Sequence, residues 1–190
     1  MIDPDHTRFC SQELTLFSGL DVLCHALESF TAVPFNKRGP RPATPQQRPA
    51  YQGCNPVADI WSGFALQKCS TYLPRALKDG GDLEAREAMC LASSAAGVGF
   101  GNAGVHLCHG MSYPIASNVK TFRPKTGYQS ESIVKKAIVP HGLSVVLTAP
   151  AVFRWTCSAD PDRHLKAAEL LGMSICFNIL TMKFLLNLFF

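Results

Sequence analysis

Three places in this 190-residue chain hold side chains whose types and spacing suit coordination chemistry. Asp21 and His25 stand four apart, His106 and His109 stand three apart, and His141 directly follows Pro140. A carboxylate and an imidazole at i and i+4 share one face of a helix, with their Cβ atoms roughly 6 Å apart. Both can therefore reach one ion. One carboxylate and three imidazoles, Asp21, His25, His109 and His141, would make an oxygen-and-nitrogen site for a divalent transition metal. Each piece also has an ordinary reading. Asp-x-x-x-His is a common accident of helices, in which the Asp caps and the His packs, and a lone core histidine is more often simply hydrogen-bonded. Spacing alone does not choose between His106 and His109.

The elements that must position these groups are mostly helical. Val22, Leu23, Ala26, Leu27 and Phe30 form a helical stripe beside Asp21 and His25, following a stretch, 1–18, without a clear period. Residues 33–54 carry prolines at 34, 40, 42, 45 and 49 with Lys37, Arg38, Arg41 and Arg48, a density that forbids regular structure and predicts a basic surface loop. Asn55-Pro56 supplies a cap and a first-turn proline for a helix to about Leu77, with Val57, Ile60, Trp61, Phe64 and Tyr72 expected inward. Asp82 caps the next helix, which runs through the small residues Ala92 to Ala96 into the glycine-rich stretch Gly97–Gly104. Small side chains and glycines there predict close approach to another backbone. Ser117–Lys136 reads as a polar, basic loop or hairpin, and His141 is expected at the mouth of a single apolar helix from Leu143 to about Phe153. Asp160-Pro161 caps a last short helix, closed by Gly172. Helix signals far outnumber strand signals, and a mainly α domain follows.

Composition sets the outer limits. With 47% hydrophobic and 17% charged residues the chain can bury a real core. A net charge of +4, with no interleaving of cations and aromatics, predicts no nucleic-acid partner. The eight cysteines include no Cys-x-x-Cys pair and read as reduced, mostly buried thiols of an intracellular protein. Met1 to His6 is acidic and lacks the features of a signal or transit peptide. Residues 173–190 are almost wholly apolar and long enough to span a bilayer, but Asn178, Lys183 and Asn187 interrupt them. A membrane tail, a core-packing segment and a divergent end are the three readings, and no other membrane contact is expected.

Five segments, taken together and in order, resemble the C-terminal domain of the iron-containing alcohol dehydrogenases: Gly19 to Glu28, Asn55 to Asp59, Gly97 to Gly104, His109-Gly110-Met111 and Pro140-His141-Gly142. The likeness spans about Gly19 to Gly172. It implies a helical metal-binding domain, and it matches the family's ligands to Asp21, His25, His109 and His141, leaving His106 a neighbour. Phe100 matches a position beside nicotinamide and substrate. Tyr113 stands where many relatives carry a histidine thought to aid proton transfer, and a phenol is a poorer base at neutral pH. The implied cofactors are Fe2+, or alternatively Zn2+, with NAD in the full-length enzyme. Within the family, the proline-rich insertion and the segments around His106 to Pro114 and Val139 to Thr148 look like a mitochondrial branch acting on small hydroxy and oxo acids. That branch oxidises 4-hydroxybutyrate to succinate semialdehyde while 2-oxoglutarate becomes 2-hydroxyglutarate. Lys120, Arg123 or Lys125 could bind a substrate carboxylate, although solvated surface charge is the plainer reading.

The family places its dinucleotide on an N-terminal α/β domain, and nothing before Gly19 supplies one. The expected organisation is therefore a divergent segment 1–18, a helical metal-binding domain 19–172 containing the loop 33–54, and a divergent apolar tail 173–190, as in a truncated form or isoform. A non-catalytic metal-binding fragment is the alternative to an oxidoreductase. A hydrolase using the same ligands finds no Glu placed as in His-Glu-x-x-His.

Overall fold

The structure is a computed structural model and describes residues 2–124 and 137–173. Within them, seven α-helices pack around one core: α1 Gln12–Thr31, α2 Pro56–Lys78, α3 Leu83–Ala103, α4 Leu107–Asn118, α5 His141–Val146, α6 Ala149–Thr156 and α7 Pro161–Leu170. Among the described residues there is no β-strand, only an isolated bridge between Pro34 and Cys54.

Helix α1 starts earlier than the apolar period suggests. Ser11 caps it by accepting from the Leu14 N–H, and Phe17 is already buried, so the boundary drawn at Gly19 falls inside the helix. Helix α2 is capped by Asn55, which accepts from the N–H groups of Val57 and Ala58. Its inward face is not the one expected. Val57 (60% exposed) and Ile60 (69%) face outward with Trp61 and Phe64, and Tyr72 is only partly covered. The buried stripe is Ala58, Ser62, Ala65, Leu66, Cys69 and Leu73. The reason lies in the neighbouring helix: Gly99 of α3 is set so tightly against Ser62 that a methyl group at 99 would overlap its hydroxyl. Helices this close accept small side chains between them and exclude a tryptophan. Ser62 Oγ also lies 2.7 Å from Ser29 Oγ on α1, so a fully buried hydrogen bond joins the three long helices at one point.

Asp82 caps α3, and Arg75 at the end of α2 grips Asp82 at 2.9 and 3.1 Å and Glu84 at 2.6 Å. The helix keeps its form through Gly97, Gly99 and Gly101 and stops at Gly104, whose φ of 88° favours glycine. The chain then turns through 104° into α4. His106 sits in this turn as the residue before α4, so it does not share a helical face with His109. Proline likewise explains a second difference from expectation. The predicted helix Leu143–Phe153 is two helices, because Pro150 in the first turn of α6 cannot supply the N–H needed to continue α5.

The loop 33–54 is irregular, as expected, with short 3-10 turns at Phe35–Lys37 and Pro45–Gln47. It is tied down at its end, where the N–H groups of Gln52 and Gly53 donate to the carbonyls of Asn102 and Ala103 at the close of α3. The segment expected as loop or hairpin begins two residues inside α4, and its 125–136 part lies outside the described residues, as do 174–190 of the apolar tail. No single described helix is long and apolar enough to cross a membrane. The seven described cysteines are all free thiols, of which Cys24, Cys54, Cys69 and Cys108 are buried. Burial pushes the Cys69 thiol up to about 12, which leaves it protonated and inert at neutral pH.

Candidate metal centre

Three helices deliver four side chains to one place. Asp21 and His25 come from the middle of α1, His109 from the first turn of α4, and His141 opens α5. Atoms of Asp21, His25 and His109 lie mutually within 4.8 Å. Asp21 Oδ1 is 3.4 Å from His109 Nε2 and 3.5 Å from His141 Nε2. The His25 and His109 ring centroids are 4.2 Å apart, and those of His109 and His141 are 5.5 Å apart. His109 is buried, Asp21 and His25 are partly covered, and the His141 side chain, 48% exposed, stands at the mouth.

The backbone makes this convergence possible. Gly142, next to His141, lies against the Phe17 carbonyl and the Asp21 Cβ, so α5 can come down onto α1 only because residue 142 has no side chain. His25 Nδ1 is 2.9 Å from the Asp21 carbonyl oxygen. A carbonyl only accepts, so Nδ1 carries the proton and Nε2 keeps a lone pair. Phe100 of α3 covers the His25 ring, with centroids 4.1 Å apart and planes 28° from parallel.

The residue that sequence reading passed over is Glu28. It lies three residues after His25 and seven after Asp21, on the same face of α1, and it is fully buried. One carboxylate oxygen accepts from the N–H groups of His106 and Cys108, each at 2.9 Å, and more distantly from that of His109 at 3.4 Å. The other bonds His109 Nδ1. A carboxylate in register with Asp21 and His25 was the available signal. His106, by contrast, points its Nε2 at Thr31 Oγ1, 3.1 Å away, with Nδ1 3.4 Å from Glu28. It stands behind His109 and outside the cluster.

The electrostatics match a cation-seeking pocket. Burial alone would raise the Asp21 carboxyl, but the close approach of His109, with His25 and His141 beside it, holds it below its ordinary value. Burial lowers His25, and Asp21 only partly offsets this, so His25 stays neutral more readily than a free histidine. For His109 burial is outweighed by Asp21 and Glu28, which raise it to about 9. Asp21 Oδ1 and His109 Nε2 are nevertheless buried without a well-formed hydrogen bond. Two buried polar atoms aimed at each other and left unsatisfied, beside two more imidazoles, fit a divalent cation as their missing partner.

Tyr113 is 64% exposed on α4, its ring centroid 6.3 Å from that of His141. Lys120 and Arg123 are exposed on the segment after α4, and Lys125 lies outside the described residues.

This helical arrangement is of the type found in the C-terminal domain of the iron-containing alcohol dehydrogenases. Residues 50–122 match the model of the Fe-containing alcohol dehydrogenase family, C-terminal. The iron-containing alcohol dehydrogenase of Thermococcus thioreducens superposes over 98% of this chain with a TM-score of 0.70 at 26% identity, the chain covering 39% of it. A 1,3-propanediol oxidoreductase does so over 94% with a TM-score of 0.69, also at 26% identity, the chain covering 37% of it. In sequence the chain is similar to the mitochondrial hydroxyacid-oxoacid transhydrogenase of Xenopus tropicalis, 58% identical over 175 residues that make up 92% of the chain and 37% of the frog protein. The Homo sapiens protein of the same name is 55% identical over 172 residues, 90% of this chain and 36% of that one. The chain thus spans little more than a third of the length of these curated relatives.

Proposed function

We propose that this chain is the metal-holding part of an oxidoreductase that passes hydride between small hydroxy acids and oxo acids, the hydroxyacid-oxoacid transhydrogenase reaction of its relatives' names. The observation that carries the reading is the convergence of Asp21, His25 and His109 within 4.8 Å, with His141 at the mouth. These four are the ligands proposed for Fe2+, with Zn2+ as the second choice, and NAD is the proposed hydride carrier. A divalent cation so held supplies Lewis acidity toward a substrate hydroxyl or carbonyl oxygen.

The chain's own groups do the rest of the local work. Asp21 brings the negative charge that offsets part of a dication's, and its depressed pKa keeps it ionised at neutral pH. Phe100 fixes the His25 ring plane and presents an apolar surface beside the cluster, the kind of face a nicotinamide ring packs against. To Tyr113 we assign the passing of a proton between substrate and solvent, a role supported by its exposure and by its ring lying 6.3 Å from that of His141. We assign 4-hydroxybutyrate and 2-oxoglutarate as the substrate pair, and extend the mitochondrial location in the relatives' names to this chain.

The test is elemental analysis of the purified chain, combined with a coupled assay that follows 2-hydroxyglutarate formed from 2-oxoglutarate and 4-hydroxybutyrate. One divalent ion per chain is expected, and its removal by a chelator should lower the melting temperature. A chain that retains no metal and gains no stability from added Fe2+ or Zn2+ overturns the reading. The second reading is a metal-binding chain that does not itself catalyse. NAD titration separates the two, and no binding to this chain by itself is expected on the second.

A further inference from the structure

Glu28 is a carboxylate with no exposure to solvent, in a region where Cys24 and Cys108 are equally buried. Leaving such a group in the interior is costly unless every lone pair is used. Here they are used asymmetrically. Oε1 collects the N–H groups of His106 and Cys108 at 2.9 Å, with that of His109 at 3.4 Å, at the start of α4, where backbone donors have no partner within the helix. Oε2 is given wholly to His109 Nδ1. Since an ionised carboxylate only accepts, His109 carries its proton on Nδ1 and turns Nε2 toward Asp21 Oδ1, 3.4 Å away.

We infer that Glu28 is a positioning residue: it clamps the first turn of α4 to α1 and locks His109 in the tautomer that presents a bare Nε2 to the cluster. The inference rests on the metal-centre reading above and adds to it the side chain that prepares the donor. One carboxylate performs both tasks, so the backbone that carries His109 and the ring itself are registered against the helix that supplies Asp21 and His25. Outer partners of this kind raise the basicity of a ligating imidazole and fix its orientation, and losing one typically weakens metal binding by roughly 10- to 100-fold.

The test uses the full chain and the variant Glu28→Gln, which preserves shape. The glutamine oxygen can still accept from the α4 N–H groups, but its amide then turns an N–H toward His109 Nδ1. That makes Nδ1 the acceptor and moves the ring proton to Nε2, where it blocks coordination. Co2+ is titrated against both proteins and followed by its visible absorption. Histidine 15N spectra of the metal-free proteins, recorded where the imidazole is neutral, report the tautomer, and thermal unfolding reports the fold. A drop in Co2+ affinity of roughly 10- to 100-fold, a cooperative melting transition and a switch of the His109 proton from Nδ1 to Nε2 support the inference. Unchanged Co2+ affinity in Glu28→Gln, or an unchanged tautomer, overturns it. If the unmodified chain binds no Co2+, the metal-centre reading fails, and the 15N spectra still decide whether Glu28 sets the tautomer.

Discussion

Gly142 packs so closely on the carbonyl of Phe17 that a Cβ there would overlap it and stand 3.2 Å from the Asp21 Cβ, so the residue after one proposed ligand is set against the residue that supplies another. A single methyl group at 142 has nowhere to go, because the obstruction is backbone and not the end of a flexible side chain. Gly142→Ala should lift α5 from α1, cost about 1–3 kcal/mol of stability and carry His141 away from Asp21. Metal affinity should fall along with the melting temperature. An alanine variant that melts and binds metal as the unmodified chain does would show that α5 is not held by this contact.

The two histidines at the start of α4 are set apart by what faces them. His109 Nε2 looks into the cluster, whereas His106 Nε2 is taken by Thr31. His109→Ala should therefore abolish bound metal and His106→Ala should leave most of it, as read by elemental analysis after dialysis. Equal losses would overturn the choice between them.

Much of this centre can be read without coordinates, and the unread part has a physical cause. Asp21 and His25 lie on one helical face by spacing alone, and the glycines after Ala96 announce a close approach that the structure places at Gly99 and Ser62. The His106 and His109 alternatives were not separable by spacing, because Gly104 ends α3 and turns the chain so that His106 falls outside the helix. Glu28 was equally silent: a glutamate on a helix is read as solvated until the α4 backbone is seen closing over it. The inward face of α2 misled for a related reason. Large apolar residues suggest a core, but the space between α2 and α3 admits only small ones, which leaves Ile60 and Trp61 outside.

Asp21 supplies the negative charge in the proposed ligand set, and its carboxyl titrates below the ordinary range once the opposing effect of burial is outweighed by the surrounding imidazoles. Asp21→Asn keeps the shape and removes the charge. Co2+ affinity at neutral pH should drop, because asparagine cannot replace the anionic donor. Equal affinity in the two proteins would remove Asp21 from the ligand set.

A prediction independent of the metal concerns the junction of α2 and α3. The Arg75 guanidinium, followed by the Ala85 N–H, holds the Asp82 carboxyl below its ordinary value. A carboxylate lowered in the folded state stabilises the fold fully above its unfolded pKa, about 3.9, and loses that contribution as pH falls through the folded value. Asp82→Asn is the informative change, because asparagine caps a helix about as well as aspartate and so removes mainly the charge that faces Arg75. The variant should melt below the unmodified chain at pH 7 by a small margin, since the pair is only partly covered and water screens it. The gap should remain at pH 5 and narrow as the pH drops below about 4, where Asp82 of the unfolded chain takes up its proton while the folded carboxyl still holds its charge. Thermal unfolding of both proteins across this range measures it directly, and a gap that stays constant down to pH 3 would mean that asparagine is simply the poorer cap.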